Sequence, residues 1–546
     1  MKKFTFLIIL LICSSIKAQM PPPPVLEPGE KWTNLYSVSY DYQTNGSIRY
    51  LVEDPTNTAN LCALIMAQQD TSTATGVQRY MYFSYSDNGG NTWTSDVLNN
   101  SANWGFGNMT VAGGVPVIVQ HRFNVLTNVS KDVIFGGFSF SDVGVMPTNI
   151  IPAWPHITGT DNGNIVVVAS TNDGASFPGY YSTYNGSAWS DWSALAPVGG
   201  PSGNYAIASG TNGVVGIFGT AYLSTGALYY FKSTNNGLTF DNGTMIFDYI
   251  IEGSDTLFAN ITGGLEVTYI GEEPHLAFTV YNVSANIFPN VNTIEFIKPR
   301  IMHWSPSNGL SQIAGKFNIP ELTDTITNAL VAPVGQPSIS RTNSGKLICS
   351  FTGYLRGYTQ IVDNGDAVNA GEIFVSRSDN NGVTWSAPVN ITNTSNIEEK
   401  HSSLMEKSST DSLKIFYLRD LKAGGWVNIP AWGKAPVYGI YKSGEFPVGI
   451  NQINSIAESY DLSQNYPNPF NPSTNIKFSL KKSGFTSLII YDALGKEITK
   501  LVNGDLGTGS YQFEFSADRF GLSSGLYFYK LTSGDFSEVK QMMLIK

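Results

Sequence analysis

The chain has 546 residues, enough for one large domain and a small second one. Hydrophobic residues make up 42% and aromatics 12%, which supports a sizeable core and excludes a mainly disordered chain. A net charge of -10 without a long basic run argues against a nucleic-acid partner, and 54 glycines with only 14% charged residues suit short strands and tight turns better than helices.

Lys2 and Lys3 precede an apolar run at residues 4–13 that is too short to span a bilayer, and Ser14, Ser15 and Ala18 supply small residues. Residues 1–18 therefore read as a secretory signal cut between Ala18 and Gln19. Cys13 could instead mark a lipoprotein, but Ile12 is bulky where a lipobox needs a small residue. Pro21 to Pro24 make residues 19–31 a stiff spacer. No later stretch is long and apolar enough to cross a membrane.

Residues 32–446 carry a repeat. Pro155-His156-Ile157 stands before Gly163 and Ile165, Tyr205-Ala206-Ile207 before Gly213 and Val215, and Pro337-Ser338-Ile339 before Gly345 and Leu347, at equal offsets. Weaker copies begin near Arg49, Gly107, Leu265 and Ser402. One such unit cannot bury both faces of its sheet, whereas radial stacking buries a continuous core. The expected fold is all-β, a β-propeller with seven blades and six as the alternative.

Third strands of the unit end in a shared turn: Ser86-Asp87-Asn88-Gly89-Gly90-Asn91-Thr92-Trp93, Ser233-Thr234-Asn235-Asn236-Gly237-Leu238-Thr239-Phe240 and Ser378-Asp379-Asn380-Asn381-Gly382-Val383-Thr384-Trp385. Residues 182–189 and 305–311 look like decayed copies, and 170–177 imitates the motif after a second strand. Asn or Asp bonds its own backbone in such a turn and Gly supplies φ > 0. The turns resemble the Asp-box of sialidases and other Asp-box propellers, with Asn at the usual Asp position. In that family the box is structural and lies far from the active site. The resemblance carries over no catalytic residue, because Arg49 and Arg79, the arginines before the first box, do not match the family's arginine motif. Its sialidases have six blades, which sets a seven-blade ring apart from them.

Arg122, Arg356 and Arg419 each follow the second strand of their unit. Equivalent positions in different blades converge, so the three are candidates for an anion-accepting patch, with Asp70 as a nearby carboxylate. The competing reading pairs each arginine locally, Arg419 with Asp420 for instance. Trp104, Trp154, Trp426, Trp432, Tyr354 and Tyr358 lie in segments flanking strands, where they either stack on sugars or fill the core. Five scattered histidines and no Cys-x-x-Cys pair give no zinc site, and no cofactor is expected. The acidic stretch from Asp363 through Glu372 could hold calcium but lacks EF-hand spacing and reads as a solvated loop. Cys62 and Cys349 sit in apolar strands and read as buried thiols rather than a disulfide.

Beyond a linker at 447–461, residues 462–546 alternate with period two, at Ile476, Phe478, Leu480; Leu488 to Tyr491; Tyr511, Phe513, Phe515; and Tyr527, Tyr529, Leu531. This predicts a small immunoglobulin-like β-sandwich. Its motifs are Asn465-Tyr466-Pro467-Asn468-Pro469-Phe470-Asn471-Pro472, Tyr491-Asp492-Ala493-Leu494-Gly495, Ser524-Gly525-Leu526-Tyr527-Phe528-Tyr529 and basic Lys540 and Lys546. They resemble the type A C-terminal sorting domain of the type IX secretion system. The resemblance implies passage through that machinery, removal of the module by a sortase-like peptidase, and surface attachment or release. The expected function is a secreted, surface-directed propeller that binds an extracellular glycan, polymer or protein without catalysis. The alternative is a sialidase-like or other Asp-box glycoside hydrolase.

Overall fold

The computed structural model describes residues 26–546 outside the segments 28, 39–42, 44–46, 69–78, 99–102, 123–125, 172–176, 200–204, 222–225, 260–262, 284–293, 329–330, 426–428, 447–450, 455–456, 483, 507 and 521. The export signal, most of the Pro-rich spacer, Asp70, Trp426 and most of the 170–177 turn lie outside the described residues. The fold is all-β and propeller-like. Among the described residues it has nine sheets, seven built from residues 30–444 and two from residues 451–544. Among the described residues no helix is long and apolar enough to cross a membrane.

The first strands of the seven sheets are Leu51–Asp54, Trp104–Ala112, Pro152–Gly159, Tyr205–Ser209, Leu265–Ile270, Val334–Arg341 and Glu398–Leu404. Each of the seven repeat starts falls in or beside one of them. These strands are buried almost throughout, as strands covered on both faces must be. The outer strands Thr94–Val97 and Thr244–Phe247 alternate toward solvent.

First strands are tied to one another in chain order. Met109 N–H donates to Arg49 O at 3.2 Å, Gly159 N–H to Thr110 Oγ1 at 3.2 Å, Ser209 Oγ to Gly159 O at 2.7 Å and Thr211 N–H to Gly271 O at 2.8 Å. Gly335 passes against the Gly263 carbonyl, Leu404 N–H donates to Ser338 Oγ at 3.0 Å, and Tyr50 N–H to Ser403 Oγ at 2.9 Å returns to the beginning. The last sheet takes its outer strand from the other end of the chain. Glu30–Ser37 pairs with Val437–Gly444, beside Leu413–Asp420 and Glu398–Leu404.

The three best turn motifs share one hydrogen-bond pattern. Ser86 Oγ accepts from Gly90 N–H at 2.9 Å and Asn88 Oδ1 from Thr92 N–H at 3.0 Å; residues 233–239 and 378–384 repeat this within 0.1 Å. The motif glycine is demanded twice over. Gly382 has φ +82°, and a Cβ there would lie 2.1 Å from the His303 ring. The motif aromatics pack on a neighbouring sheet: Trp93 meets Tyr441, Phe240 meets Tyr181 and Trp385 meets His303.

The C-terminal module is two four-stranded antiparallel sheets around one core that includes Ile476, Phe478, Leu488, Phe513 and Tyr529. One correction concerns the linker: residues 451–454 form a strand that pairs with Gly509–Ser516. The Asn-Tyr-Pro motif has a structural task. Buried Asn465 donates from Nδ2 to Thr474 Oγ1 at 2.9 Å and to Pro467 O at 3.1 Å, while its N–H meets the Tyr529 hydroxyl at 2.8 Å.

Candidate ligand-binding face

The segment leading into the first sheet reaches several of the others. Ser47 Oγ donates to Pro337 O on the sixth sheet. Arg49, 4% exposed, reaches Glu266 on the fifth at 2.9 Å and Glu406 after the seventh at 2.9 Å. Both acids keep Arg49 charged in spite of its burial. Burial, with Arg49 adding to it, pushes nearby His156 down to about 3, so its imidazole is neutral. This buried plug of one cation and two carboxylates joins the first, fifth and seventh sheets.

Around this plug, four first strands carry the same irregularity. Phe106-Gly107, Trp154-Pro155, Gln336-Pro337 and His401-Ser402 each place two residues opposite one on the neighbouring strand. The first residue of each bulge is left-handed, at φ 52°, 50°, 53° and 54°. Gly264 stands at the corresponding place of the fifth sheet with φ +80°. Glycine adopts this conformation freely, whereas a bulky side chain adopts it at a cost. Bulges re-aim a side chain, and residues held in such conformations cluster at functional sites. The sequence reading missed this set. Its one visible signal is the proline that follows Trp154 and Gln336.

Two of these side chains join a cluster of rings. Phe106 stacks on His121 with centroids 4.9 Å apart, His121 lies 6.1 Å from Trp154, and Trp154 lies 6.0 Å from Phe177. The Trp154 N–H donates to His121 Nδ1 at 3.1 Å. Burial, helped by the Arg79 charge, pushes His121 down to about 3. Trp154 and Phe177 are half-buried, so part of this ring surface faces solvent.

The three arginines of the expected patch have different surroundings. Arg122 and Arg419 lie at the ends of their second strands and Arg356 within a longer one. Arg419 is buried in ion pairs with Glu30 at 2.9 Å and Glu399 at 2.8 Å, away from solvent. Its partners are these two acids rather than Asp420, which pairs with Lys400 at 3.1 Å. Arg356 is exposed and donates to Pro320 O at 2.6 Å, and Arg122 is exposed at the end of its strand. Trp432 and Tyr354 are buried, and the Tyr354 hydroxyl donates to Glu398 at 3.1 Å. Trp104 and Tyr358 are half-buried.

The acids of the suggested calcium loop face different ways. Asp363 pairs with Lys422, Asp366 accepts from Trp432 Nε1, and Glu372 is buried. Among the described residues no cluster of His, Cys, Asp and Glu is arranged to hold a metal ion. Cys62 and Cys349 are buried free thiols, pushed up by burial.

Residues 464–546 match the family described as the secretion system C-terminal sorting domain. No curated protein matches the chain. Among solved structures, the chain is similar to polysaccharide lyase Uly1, at 10% identity over 77% of this chain and 94% of the lyase, TM-score 0.42. It is similar to the Aleuria aurantia lectin in complex with α-methyl-L-fucoside, at 12% identity over 65% and 98%, TM-score 0.36. It is also similar to a Trypanosoma rangeli sialidase, at 11% identity over 95% and 89%, TM-score 0.37. The sorting tail marks the chain for type IX secretion, to the cell surface or the extracellular space, and for interaction with that machinery.

Proposed function

We infer that the seven sheets are the blades of an Asp-box propeller that binds an extracellular glycan, polymer or protein without turning it over. The observation that carries this reading is the buried plug between the sheets: Ser47 reaches Pro337, and Arg49 holds both Glu266 and Glu406. The cyclic order of first-strand hydrogen bonds supports the count of seven, and the shared hydrogen-bond pattern of the turns supports the Asp-box assignment. The tail is an immunoglobulin-like sandwich removed by a sortase-like peptidase after export, and residues 1–18 are the export signal.

A glycoside hydrolase needs two carboxyl groups flanking an open cleft. Glu372 and Glu399 form one close pair, since the Thr394 hydroxyl contacts both, at 3.5 Å and 2.5 Å. Both are fully buried. Purified mature chain on a glycan array and on a panel of polysaccharides and fluorogenic glycosides tests the reading. Specific binding without turnover is expected, and turnover lost in Glu399→Gln would overturn it.

A further inference from the structure

The two sheets of the C-terminal module turn different faces to solvent. In the strand Ser473–Leu480, buried Thr474, Ile476 and Phe478 alternate with outward Asn475, Lys477 and Ser479. The outward side chains bond to the next strand: Gln512 Nε2 donates to Asn475 Oδ1 at 2.9 Å, and the Ser479 and Ser510 hydroxyls meet at 2.8 Å. This face is polar, as the solvent side of an antiparallel sandwich is expected to be. The other sheet departs from that rule. Its strands Gly484–Tyr491, Gly525–Ser533 and Phe536–Leu544 send Leu488, Ile490, Tyr527, Tyr529 and Met542 into the core. Residues two apart share a face, so Ile489, Tyr491, Leu526, Phe528, Val539 and Met543 stand together on the outer side. The register makes them one patch. Tyr491 lies opposite Phe528, Leu526 opposite Met543, and Ile489 and Val539 on either side of Lys530. Val539 is 52% exposed and Met543 38%, and the other four apolar residues are half-buried.

The motif at residues 524–529 therefore has two halves. Tyr527 and Tyr529 complete the core, whereas Leu526 and Phe528 face away from it. Aromatic and aliphatic side chains gathered on a flat surface, with few charges among them, are the composition of a protein–protein contact. Among the described residues Lys530 is the one charge on the outward side of these three strands, and it stands within the patch. A second copy packed face to face would oppose like charges there. A lipid surface is gripped by clusters of basic residues, not by one. The partner that remains is the one this module is marked for, the type IX secretion machinery. We propose that the outer face around Phe528 and Lys530 is the surface of the tail that this machinery grips, through an apolar surface with an acidic group opposite Lys530. The patch exists only in the folded module, because residues of three strands make it.

The test expresses the full chain in its native host with Ile489→Thr and Phe528→Thr together, with Lys530→Glu, and with Lys477→Glu on the polar outer face as control. Threonine keeps the strand preference while removing the apolar surface. The double variant falls roughly tenfold or more in the surface and medium fractions and accumulates inside the outer membrane, and Lys530→Glu falls between. Lys477→Glu is exported as wild type. Thermal melting of the purified full chains checks that the variants fold, as substitutions outside the core predict. A photo-activated cross-linker in place of Phe528 joins a component of the type IX machinery in cells and one in place of Lys477 does not, a readout independent of stability. Export of the double variant at the wild-type level overturns the proposal, as does a type IX component cross-linked from 477 and not from 528. Cross-links from 528 to lipid alone overturn it in favour of a membrane contact. A concentration-dependent dimer in sedimentation, lost in the double variant while export is unchanged, overturns it in favour of a second copy.

Discussion

Arg419 grips Glu30 through two parallel hydrogen bonds, Nη1 to Oε2 at 2.9 Å and Nη2 to Oε1 at 3.0 Å, while its Nε donates to Glu399 at 2.8 Å. Glu30 opens the N-terminal strand that completes the seventh sheet, so this fork fastens one end of the chain to the other. Its three participants are almost wholly removed from water.

Arg419→Met leaves two buried carboxylates without their cation. Breaking a buried pair from one side costs about 3–5 kcal/mol, because the remaining charge is stranded. Urea unfolding of the mature chain is expected to register a loss of that order. Arg419→Lys keeps a charge but not the fork, and its loss falls between. A stability unchanged in Arg419→Met would mean that the network contributes nothing to closure.

The same network makes stability depend on pH in two directions. Burial lifts the Glu399 carboxyl from 4.5 to about 8, with Glu372 adding to the rise against the pull of Arg419 and Thr394. Glu372 is also raised by burial, against hydrogen bonds from Thr392 and Thr394. A group raised in the folded state gives its full stabilisation below its unfolded value and loses it as pH climbs to the folded one. The Glu399 contribution therefore disappears between about pH 4.5 and 8. Glu30 behaves oppositely. Burial would raise it, but Arg419 and Tyr417 hold it low, so its contribution is lost as pH falls below the ordinary carboxylate range. Glu399→Gln mimics the neutral acid. Its stability is expected to stay within about 1 kcal/mol of wild type at pH 5 and to exceed it by a few kcal/mol at pH 9. Chemical denaturation at the two pH values checks this, and a wild type with no alkaline loss would refute it.

What was readable in the sequence was local. Turn residues 86–93, 233–240 and 378–385 satisfy their own hydrogen bonds, so their pattern survives as a string. The three clearest repeat units, starting at Pro155, Tyr205 and Pro337, keep equal internal offsets for the same reason. The tail motifs likewise name residues that bond within a few positions, as Asn465 does with Pro467 and Thr474. The buried plug was unreadable, because Arg49 finds Glu266 217 residues away. Arg419 went wrong similarly: its neighbour Asp420 was the natural partner, yet the fold supplies Glu30 from 389 residues away. The left-handed residues Phe106 and His401 have no sequence mark at all, since most apolar or polar residues in a strand look the same whichever way a bulge turns them.

Two glycines with nearly equal φ separate approach from conformation. Gly382 has φ +82° and faces the His303 ring, which is held in a stack with His275; Gly365 has φ +90° and faces open space. Gly365→Ala meets only the left-handed penalty and is expected to cost about 1–2 kcal/mol. Gly382→Ala meets the same penalty and must also displace a packed ring, so its cost is expected to exceed that by about 1–3 kcal/mol. Equal melting-temperature losses in the two variants would show that the His303 contact is soft.

The tail gives the most direct test in cells. Asn465 satisfies three polar groups where the motif meets the two-sheet core, and it is 1% exposed. Asn465→Ala leaves the Thr474 hydroxyl and the Pro467 carbonyl with one partner fewer, at a cost of about 1–3 kcal/mol to this module. Deleting residues 464–546 removes the sorting signal outright. Fractionation of the native host should find the deleted chain retained inside the outer membrane and the Asn465→Ala chain exported in reduced amount. A deleted chain that still reached the cell surface would mean that the first 463 residues carry a sorting signal of their own. An Asn465→Ala chain exported at the wild-type level would mean that the machinery reads the tail's strands and not the proline-rich segment that Asn465 ties down.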